Sequence, residues 1–308
     1  MLLLALIPIL MGGGLAMQTA INSKLRQFVV SPYLASAVSF SVGAVFLIAL
    51  TLFMGVSPLV SWSTITSNPW WIWLGGLLGV IGLTTNLLLF PRLGSIQTAV
   101  LPIFGQIVMG ILIDQFGWFS SPRLPLTLVK VAGLLLVTLG MLIASLRWSR
   151  AAANQQANNQ WLWRLLGIGA GMLMATQTAI NGHLGVVLDS SVHAAMISFT
   201  VGAVLLLIMV LALRLPLSGL ANAAHAGRSH WLIWLGGFLG AAYVFGSAWL
   251  VPQIGTGQVV VIALFGQLLF SALIEQLGWF EAKAQRVQFP RLIGLLLMFI
   301  GVVGIHFL

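Results

Sequence analysis

The chain has 308 residues, of which 60% are hydrophobic and 6% are charged, and its mean hydropathy is +1.08. A globule of this composition would expose too much apolar surface to water, so the composition excludes an ordinary soluble domain and favours a bilayer protein. The net charge of +9 comes from cations scattered between apolar runs, which argues against a nucleic-acid interface. The lack of cysteine excludes disulfides, thiolate metal sites and a cysteine nucleophile.

Apolar runs separated by turn residues and charges predict an all-α membrane protein with ten transmembrane helices. The loops are short apart from the polar stretch 147–160, which we interpret as a linker between a first half, residues 1–146, and a second half, residues 161–308. The predicted helices are residues 2–22, 33–54, 70–90, 97–118, 126–146, 162–182, 192–213, 231–250, 257–279 and 290–307.

The two halves repeat each other in sequence. Early matches lie 159 residues apart and later ones 161 apart, so the extra residues fall in the loop 214–230. Since each half holds five predicted helices, an odd number, the second half must be inverted in the membrane. The repeated strings include Gln-Thr-Ala-Ile-Asn at 18–22 and 177–181, Phe-Gly-Gln at 104–106 and 265–267, and Asp-Gln-Phe-Gly-Trp-Phe at 114–119, which returns as Glu-Gln-Leu-Gly-Trp-Phe at 275–280.

Loop charges give the predicted orientation. Basic residues are retained on the cytoplasmic side of membrane proteins, and eleven of the thirteen fall on one predicted side, against Arg123 and Lys130 on the other. We therefore expect a multi-pass membrane protein with both termini outside the cytoplasm. The residues predicted to be cytoplasmic are Lys24, Arg26, Arg92, Arg147, Arg150, Arg164, Arg214, Arg228, Lys283, Arg286 and Arg291.

Two inverted five-helix repeats without a soluble domain resemble the drug/metabolite transporter superfamily. The strings at 18–22, 104–106 and 114–119, with Ser-Phe-Ser-Val-Gly-Ala at 39–44, resemble the YdcZ-type inner-membrane exporters, so the chain looks like a fused form of a five-helix unit. One departure is clear: small multidrug exporters of the superfamily carry a glutamate in the first helix, where this chain has Gln18 and Asn22. Glutamate-based proton and drug exchange in that helix is therefore not carried over.

Amides within the apolar helices are the candidate substrate contacts. A buried amide without a partner costs about 1–3 kcal/mol, so each should have one. The partner could be a group on a neighbouring helix, in which case the amide is structural. It could instead be a substrate, in which case the amide lines a cavity near the midplane. With one tyrosine that could line the same cavity, the candidates are Gln18, Asn22, Asn86, Gln106, Gln177, Asn181, Tyr243 and Gln267.

Asp114 and Glu275 are the only acidic residues within plausible helix spans. Sixteen residues after them come Lys130 and Arg291, at the starts of the following helices. One interpretation is an ion pair in each half that fastens helix four to five and helix nine to ten. The other is a role in proton or cation binding or in gating, since ionisable groups in a membrane are functional candidates by default.

These features predict a membrane transporter that exports a small neutral, zwitterionic or amphipathic metabolite or drug by alternating access, working as a monomer. The cavity should be lined by helices one to four and six to nine, as the resemblance implies, with five and ten peripheral. A passive pore or a scaffold without transport is the alternative. We expect no enzyme, cofactor or metal site, because no Ser/His/Asp arrangement or metal-ligand spacing occurs.

Overall fold

The computed structural model describes residues 2–145, 160–226, 230–281 and 287–307. Side chains are described within these ranges except at residues 2, 3, 86, 87, 90, 91, 94–96, 145, 226, 281 and 307. All regular structure in this part of the chain is helical. The first half contains α1 Leu2–Val29, α2 Pro32–Phe53, α3 Trp62–Ser67, α4 Gly75–Phe116 and α5 Leu128–Ser145. The second half contains α6 Gln160–Val187, α7 Ser191–Ala212, α8 Ser218–Ala226, α9 Leu235–Ile254, α10 Thr256–Leu277 and α11 Phe289–Phe307.

Seven helices are long and apolar enough to cross a membrane, counting only described residues. Two shorter apolar helices, Gly75–Thr85 and Leu128–Ala144, add to them. The structure also contains two short helices that the hydropathy pattern does not predict, α3 and α8, which fall in loops. The candidate spans are Leu4–Val29, Pro32–Phe53, Gln97–Phe116, Ser191–Ala212, Trp231–Ile254, Thr256–Leu277 and Phe289–His306.

Helix α4 differs most from the prediction, because it takes in most of both predicted helices, 70–90 and 97–118. It nevertheless cannot be straight. A Cβ added at Gly82 would meet Met174 of α6, and one added at Gly105 would meet Met172, only two residues away along the same helix. Twenty-three residues of straight helix would span about 35 Å. The chain therefore reverses direction between Gly82 and Gly105.

The repeat extends to the backbone. Ser31 accepts the Leu34 N–H at the start of α2, and Ser190 accepts the His193 N–H at the start of α7, so the two helices have equivalent N-caps. Gly117 and Gly278 end α4 and α10 with the same φ of +66°, a left-handed conformation that favours glycine. Equivalent sequence thus gives equivalent boundaries at these helix ends, although the single helix α4 corresponds to α9 and α10 together.

Helices α5 and α11 pack mainly against each other. Gly133 faces the Gly301 carbonyl, and Gly140 faces the Gly294 carbonyl, so the two backbones approach closely and run antiparallel. Between these glycines, Val137 of α5 and Met298 of α11 are fully buried, whereas Leu135 and Leu139 on the other face of α5 are exposed.

The bundle has two ends, which we name after the two acidic residues. The Asp114 end carries the ends of α2, α4, α6 and α9, and there Trp71 packs against Phe119 at 5.5 Å and stacks on His183 at 5.3 Å. The Glu275 end carries the opposite termini of α2, α6 and α9 and the reversal of α4, and there Arg164 donates to Gln97 at 3.0 Å.

Candidate functional site

The first and second halves cross where α1 meets α10. A Cβ at Gly12 of α1 would collide with the Ala263 carbonyl of α10, and a Cβ at Gly266 of α10 would collide with the Ile9 carbonyl of α1. Neither glycine can therefore carry a side chain without movement of backbone. The glycines bring the two helices into backbone contact.

A second crossing repeats the first with the halves exchanged. A Cβ at Gly171 of α6 would collide with the Pro102 carbonyl of α4, and a Cβ at Gly105 would collide with the Ile168 carbonyl. Gly171 is the counterpart of Gly12, 159 residues later, and Gly105 is the counterpart of Gly266, 161 residues earlier. The glycine of the repeated Phe-Gly-Gln string is therefore the close-contact residue at each crossing, a role that the sequence analysis missed.

Gln106 and Gln267 follow these glycines directly. Both side chains are half-buried, and neither amide has a hydrogen-bond partner within the described part of the chain. Their position beside the crossings leaves both amides available to a ligand. Their role as substrate contacts stays a prediction.

Asn22 and Asn181 make equivalent hydrogen bonds within their own halves. Asn22 donates to Ser39 Oγ of α2 at 3.2 Å, and Asn181 donates to Ser198 Oγ of α7 at 3.2 Å. The carbonyl oxygens of both amides are fully buried and have no hydrogen-bond partner among described residues. These amides connect helices, as expected of polar contacts between membrane helices.

The amide side chains of Asn22 and Asn181 pack against glycines of the opposite half. The Asn22 carbonyl oxygen occupies the space where Gly236 of α9 would carry a Cβ, and the Asn181 oxygen occupies that space at Gly75 of α4. In the same way, Gln18 lies against Gly240 and Gln177 lies against Gly79. The repeated glycines of α4 and α9 thus make room for amides as well as for helix backbones.

The remaining predicted cavity residues are Tyr243 and Asn86. Tyr243 is half-buried, and its hydroxyl lies close to Thr178 of α6. The Asn86 side chain lies outside the described residues.

Asp114 has partners that differ from the predicted ion pair. Its carboxylate accepts the backbone N–H groups of Thr256 at 2.7 Å and Gly257 at 2.8 Å, and the Ser121 hydroxyl at 3.2 Å. Ser121 and Thr256 also share a hydrogen bond of 3.0 Å between their hydroxyls. The buried carboxylate therefore caps the N-terminus of α10, where unpaired N–H groups and the helix dipole favour negative charge.

The predicted Asp114–Lys130 ion pair is wrong for this structure. The Lys130 ammonium donates instead to the Pro125 carbonyl at 3.3 Å. Both residues border a small cavity of about 30 Å³ that also contacts Gln258, so they are near each other without pairing. The N–H groups of α10 already satisfy the carboxylate.

Glu275 and Arg291 form the ion pair expected from their spacing, with 2.7 Å between Oε2 and Nη1. Their side chains are 25% and 18% exposed, respectively, so the pair is partly screened from solvent. It fastens α10 to α11 at the Glu275 end. A coupling or gating role for this pair stays a prediction.

The glutamine after each acidic residue holds the following loop. Gln115 Oε1 accepts the Leu126 N–H at 2.7 Å, and Gln276 Oε1 accepts the Val287 N–H at 2.7 Å. The role of these glutamines was not predicted from the sequence, although their place in a repeated string was a usable signal. Ser121 and Thr256 carried no such signal.

A larger cavity of about 570 Å³ lies at the Asp114 end. It opens to the surface, since Val186 and Trp249 in its wall are 59% and 44% exposed. Both halves contribute to it. Its lining residues are Met54, Val56, Gly185, Val186, Asp189, Ser190, Ser191, Val192, Phe245, Trp249 and Pro252.

Within the described ranges, no group of three or more His, Cys, Asp or Glu side chains could hold an ion.

Long apolar helices, close crossings at glycine and hydrogen-bonded amides between helices define a multi-pass helical membrane protein. The chain belongs to the YdcZ family of the drug/metabolite transporter superfamily, whose description is "Putative inner membrane exporter, YdcZ". The family matches twice, over residues 3–143 and 162–304. That description names a membrane exporter, which is a transporter rather than an enzyme, and the protein is a multi-pass protein of the inner membrane.

Solved structures share the fold. One, described only as "Crystal structure of protein", has a TM-score of 0.68 to this chain at 17% sequence identity. The alignment covers 98% of this chain and 94% of that one, so the likeness concerns the whole fold and the fold alone. No curated protein matches the chain in sequence.

Proposed function

We propose that the protein is a secondary transporter that exports a small neutral, zwitterionic or amphipathic compound by alternating access between two inverted five-helix halves. The reciprocal helix crossings carry this proposal. Gly12 and Gly266 at one crossing correspond to Gly171 and Gly105 at the other, with the halves exchanged. Such a two-fold related interface allows two equivalent arrangements, which alternating access requires.

The described helices support a count of ten spans. The seven long apolar helices and the two shorter ones account for nine. The tenth is α6, Gln160–Val187, whose 28 residues are long enough to cross the bilayer and repeat α1. The reversal of α4 between Gly82 and Gly105 lets it contribute two spans, as the prediction requires.

Charge supports a cytoplasmic Glu275 end and termini outside the cytoplasm. At the Asp114 end the described cations are Arg123 and Lys130. At the Glu275 end they are Lys24, Arg26, Arg92, Arg164, Arg214 and Arg291.

The uncharged polar groups beside the helix crossings support a neutral, zwitterionic or amphipathic substrate. The polar groups nearest to them are the amides of Gln106 and Gln267 rather than charged groups. A strongly charged solute would lack a counter-ion there, whereas an amide can donate and accept hydrogen bonds with a neutral or zwitterionic compound. The same amides, with Gln18, Gln177 and Tyr243, are the proposed substrate contacts.

A passive pore or a scaffold without transport is the competing function. A scaffold should have dry packing throughout the interface between the halves, but the open cavity at the Asp114 end is lined by Met54 of the first half as well as by second-half residues such as Phe245. The cavity therefore favours a transporter over a scaffold. A pore differs from a transporter in its kinetics, because flux through a pore rises linearly with solute concentration and does not saturate.

Uptake into proteoliposomes tests the proposal. Wild-type protein would be assayed against a panel of metabolites, with and without a pH gradient, beside Asp114→Asn, Glu275→Gln and the exposed control Arg123→Gln. We expect saturable transport of at least one compound by wild type and the control. Absence of any protein-dependent flux would favour the scaffold, and a linear flux would favour the pore. Full gradient-driven transport by both carboxylate variants would make the two acids purely structural.

A further inference from the structure

The open cavity at the Asp114 end combines a carboxylate with aromatic rings. Asp189 is its one charged lining residue, is exposed, and accepts no hydrogen bond or ion pair within the described ranges. Trp249 and Phe245 line the same space. The described cations of this end are engaged elsewhere, since Arg123 donates to the Phe116 carbonyl and Lys130 to the Pro125 carbonyl.

Two local reasons could account for Asp189 without a ligand. Its φ of +49° is left-handed, a conformation that aspartate tolerates better than most residues. It also precedes the N-terminus of α7, where negative charge is favourable.

The first half shows that the turn does not need an acid. The counterpart of Asp189, 159 residues earlier, is Val30, which has a φ of +63° and precedes the equivalent helix α2. A β-branched residue is poorly suited to this conformation, yet the turn forms. The carboxylate is therefore an addition to the second half that the fold itself does not demand.

The aromatic wall is also specific to the second half. Trp249 corresponds to Leu88 of the first half, 161 residues earlier, and Phe245 corresponds to Thr84. The halves thus differ at the residues that give this cavity its chemistry. A carboxylate and an indole face around one space attract an ammonium group by charge and by cation–π interaction.

We propose that this cavity binds an organic cation, an ammonium group carried on an apolar body. The carboxylate of Asp189 provides the counter-ion, while Trp249 and Phe245 contact the ammonium substituents and the apolar part. The volume of about 570 Å³ lies within the range of roughly 300–1,000 Å³ usual for small-molecule sites. The site is separate from the amides at the helix crossings, so it does not depend on the transport proposal.

Calorimetry of the purified full-length chain in a non-ionic maltoside detergent tests this site. The probes are hexyltrimethylammonium and hexyl sulfate, which share one apolar tail and differ in the sign of charge. We expect saturable binding of the cation alone, weakened at least about fivefold by Asp189→Asn and by Trp249→Leu. Arg123→Gln, at the same end but outside the cavity, should bind as wild type does. Equal binding of both probes, or an affinity unchanged by Asp189→Asn, would overturn the proposal.

A second arm distinguishes a free amine from a lipid headgroup as the source of the ammonium. Protein extracted from bilayers of phosphatidylethanolamine and phosphatidylglycerol would be examined by native mass spectrometry. Retention of phosphatidylethanolamine by wild type and its loss from Asp189→Asn would support the site with a lipid as its occupant. Equal retention by both proteins, together with the calorimetric result above, would support the site with a free amine.

Discussion

The carboxylate of Asp114 accepts the backbone N–H of Thr256 at 2.7 Å, although the two residues are 142 positions apart and belong to different halves. Together with Gly257 and Ser121 they form a buried connection between the end of α4 and the start of α10. This connection fastens the two halves together at the Asp114 end. At the Glu275 end, by contrast, the ion pair of Glu275 and Arg291 lies within one half.

Replacing Asp114 should weaken the folded protein. Asp114→Ala removes the acceptor of three hydrogen bonds in a buried place, and we expect a loss of about 2–3 kcal/mol in the free energy of unfolding. Asp114→Asn keeps one oxygen acceptor and should lose less. Denaturation of detergent-solubilised protein gives both values, with the exposed Arg123→Ala as control. Equal stability of Asp114→Ala and wild type would contradict the capping role.

Two glycines on one helix make a matched test of the crossings. Gly171→Ala places a methyl group against the Pro102 carbonyl, and we expect a destabilisation of about 2 kcal/mol or more. A Cβ added at Gly169 would meet open space, so Gly169→Ala should be neutral or stabilising by up to about 1 kcal/mol. Thermal unfolding of both variants measures the difference. Similar unfolding temperatures for the two would mean that the helices are not in backbone contact at Gly171.

The Glu275–Arg291 pair should contribute modestly to stability. Because both side chains are partly exposed, we expect a coupling energy of about 1 kcal/mol or less. A double-mutant cycle with Glu275→Gln and Arg291→Gln isolates this energy, and it should fall further in high salt. A coupling energy of zero at low salt would show that the pair does not staple α10 to α11.

The amides beside the crossings should affect transport more than stability. Gln106→Leu and Gln267→Leu remove groups that have no described hydrogen-bond partner, so we expect unfolding free energies within about 0.5 kcal/mol of wild type. Their transport efficiency should fall at least about tenfold, corresponding to the loss of one hydrogen bond to substrate.

Asn181→Ala provides the comparison for those two variants. It removes the hydrogen bond to Ser198, so it should cost about 1 kcal/mol of stability. If the glutamine variants lose stability to the same extent and keep their transport efficiency, Gln106 and Gln267 are structural contacts rather than substrate contacts.

The absence of native cysteine makes the orientation easy to measure. A membrane-impermeant maleimide added to intact cells should label Arg123→Cys at the Asp114 end. It should label Arg214→Cys only after the membrane is permeabilised. The reverse pattern would place the Glu275 end outside.

Local patterns predicted much of the fold. The all-helical class follows from hydropathy, because backbone groups in a bilayer must pair within a helix. The repeated strings showed which residues of the two halves correspond. They predicted that residues such as Asn22 and Asn181 have equivalent roles, and these two residues make equivalent hydrogen bonds. The Glu275–Arg291 pair was also accessible, because its two residues are only sixteen positions apart on consecutive helices.

Contacts between the halves could not be predicted from the sequence in the same way. Asp114 was assigned to Lys130 because spacing favours nearby partners, whereas its partners Thr256 and Gly257 are brought close only by the packing of α4 on α10. The Phe-Gly-Gln string drew attention to its glutamine for its polarity. Gly105 carries no side chain to suggest a role, and only the crossing shows why a larger residue cannot replace it.

Reversible cross-linking of the halves tests alternating access most directly. The hydroxyls of Ser121 and Thr256 are 3.0 Å apart, so Ser121→Cys and Thr256→Cys in one chain should form a disulfide that holds the Asp114 end together. Transport of a compound identified in the uptake panel would be measured before oxidation, after oxidation and after reduction, with each single-cysteine variant as control. We expect oxidation to stop transport by the double variant alone and reduction to restore it. An oxidised double variant that transports at its full rate would contradict movement of one half against the other.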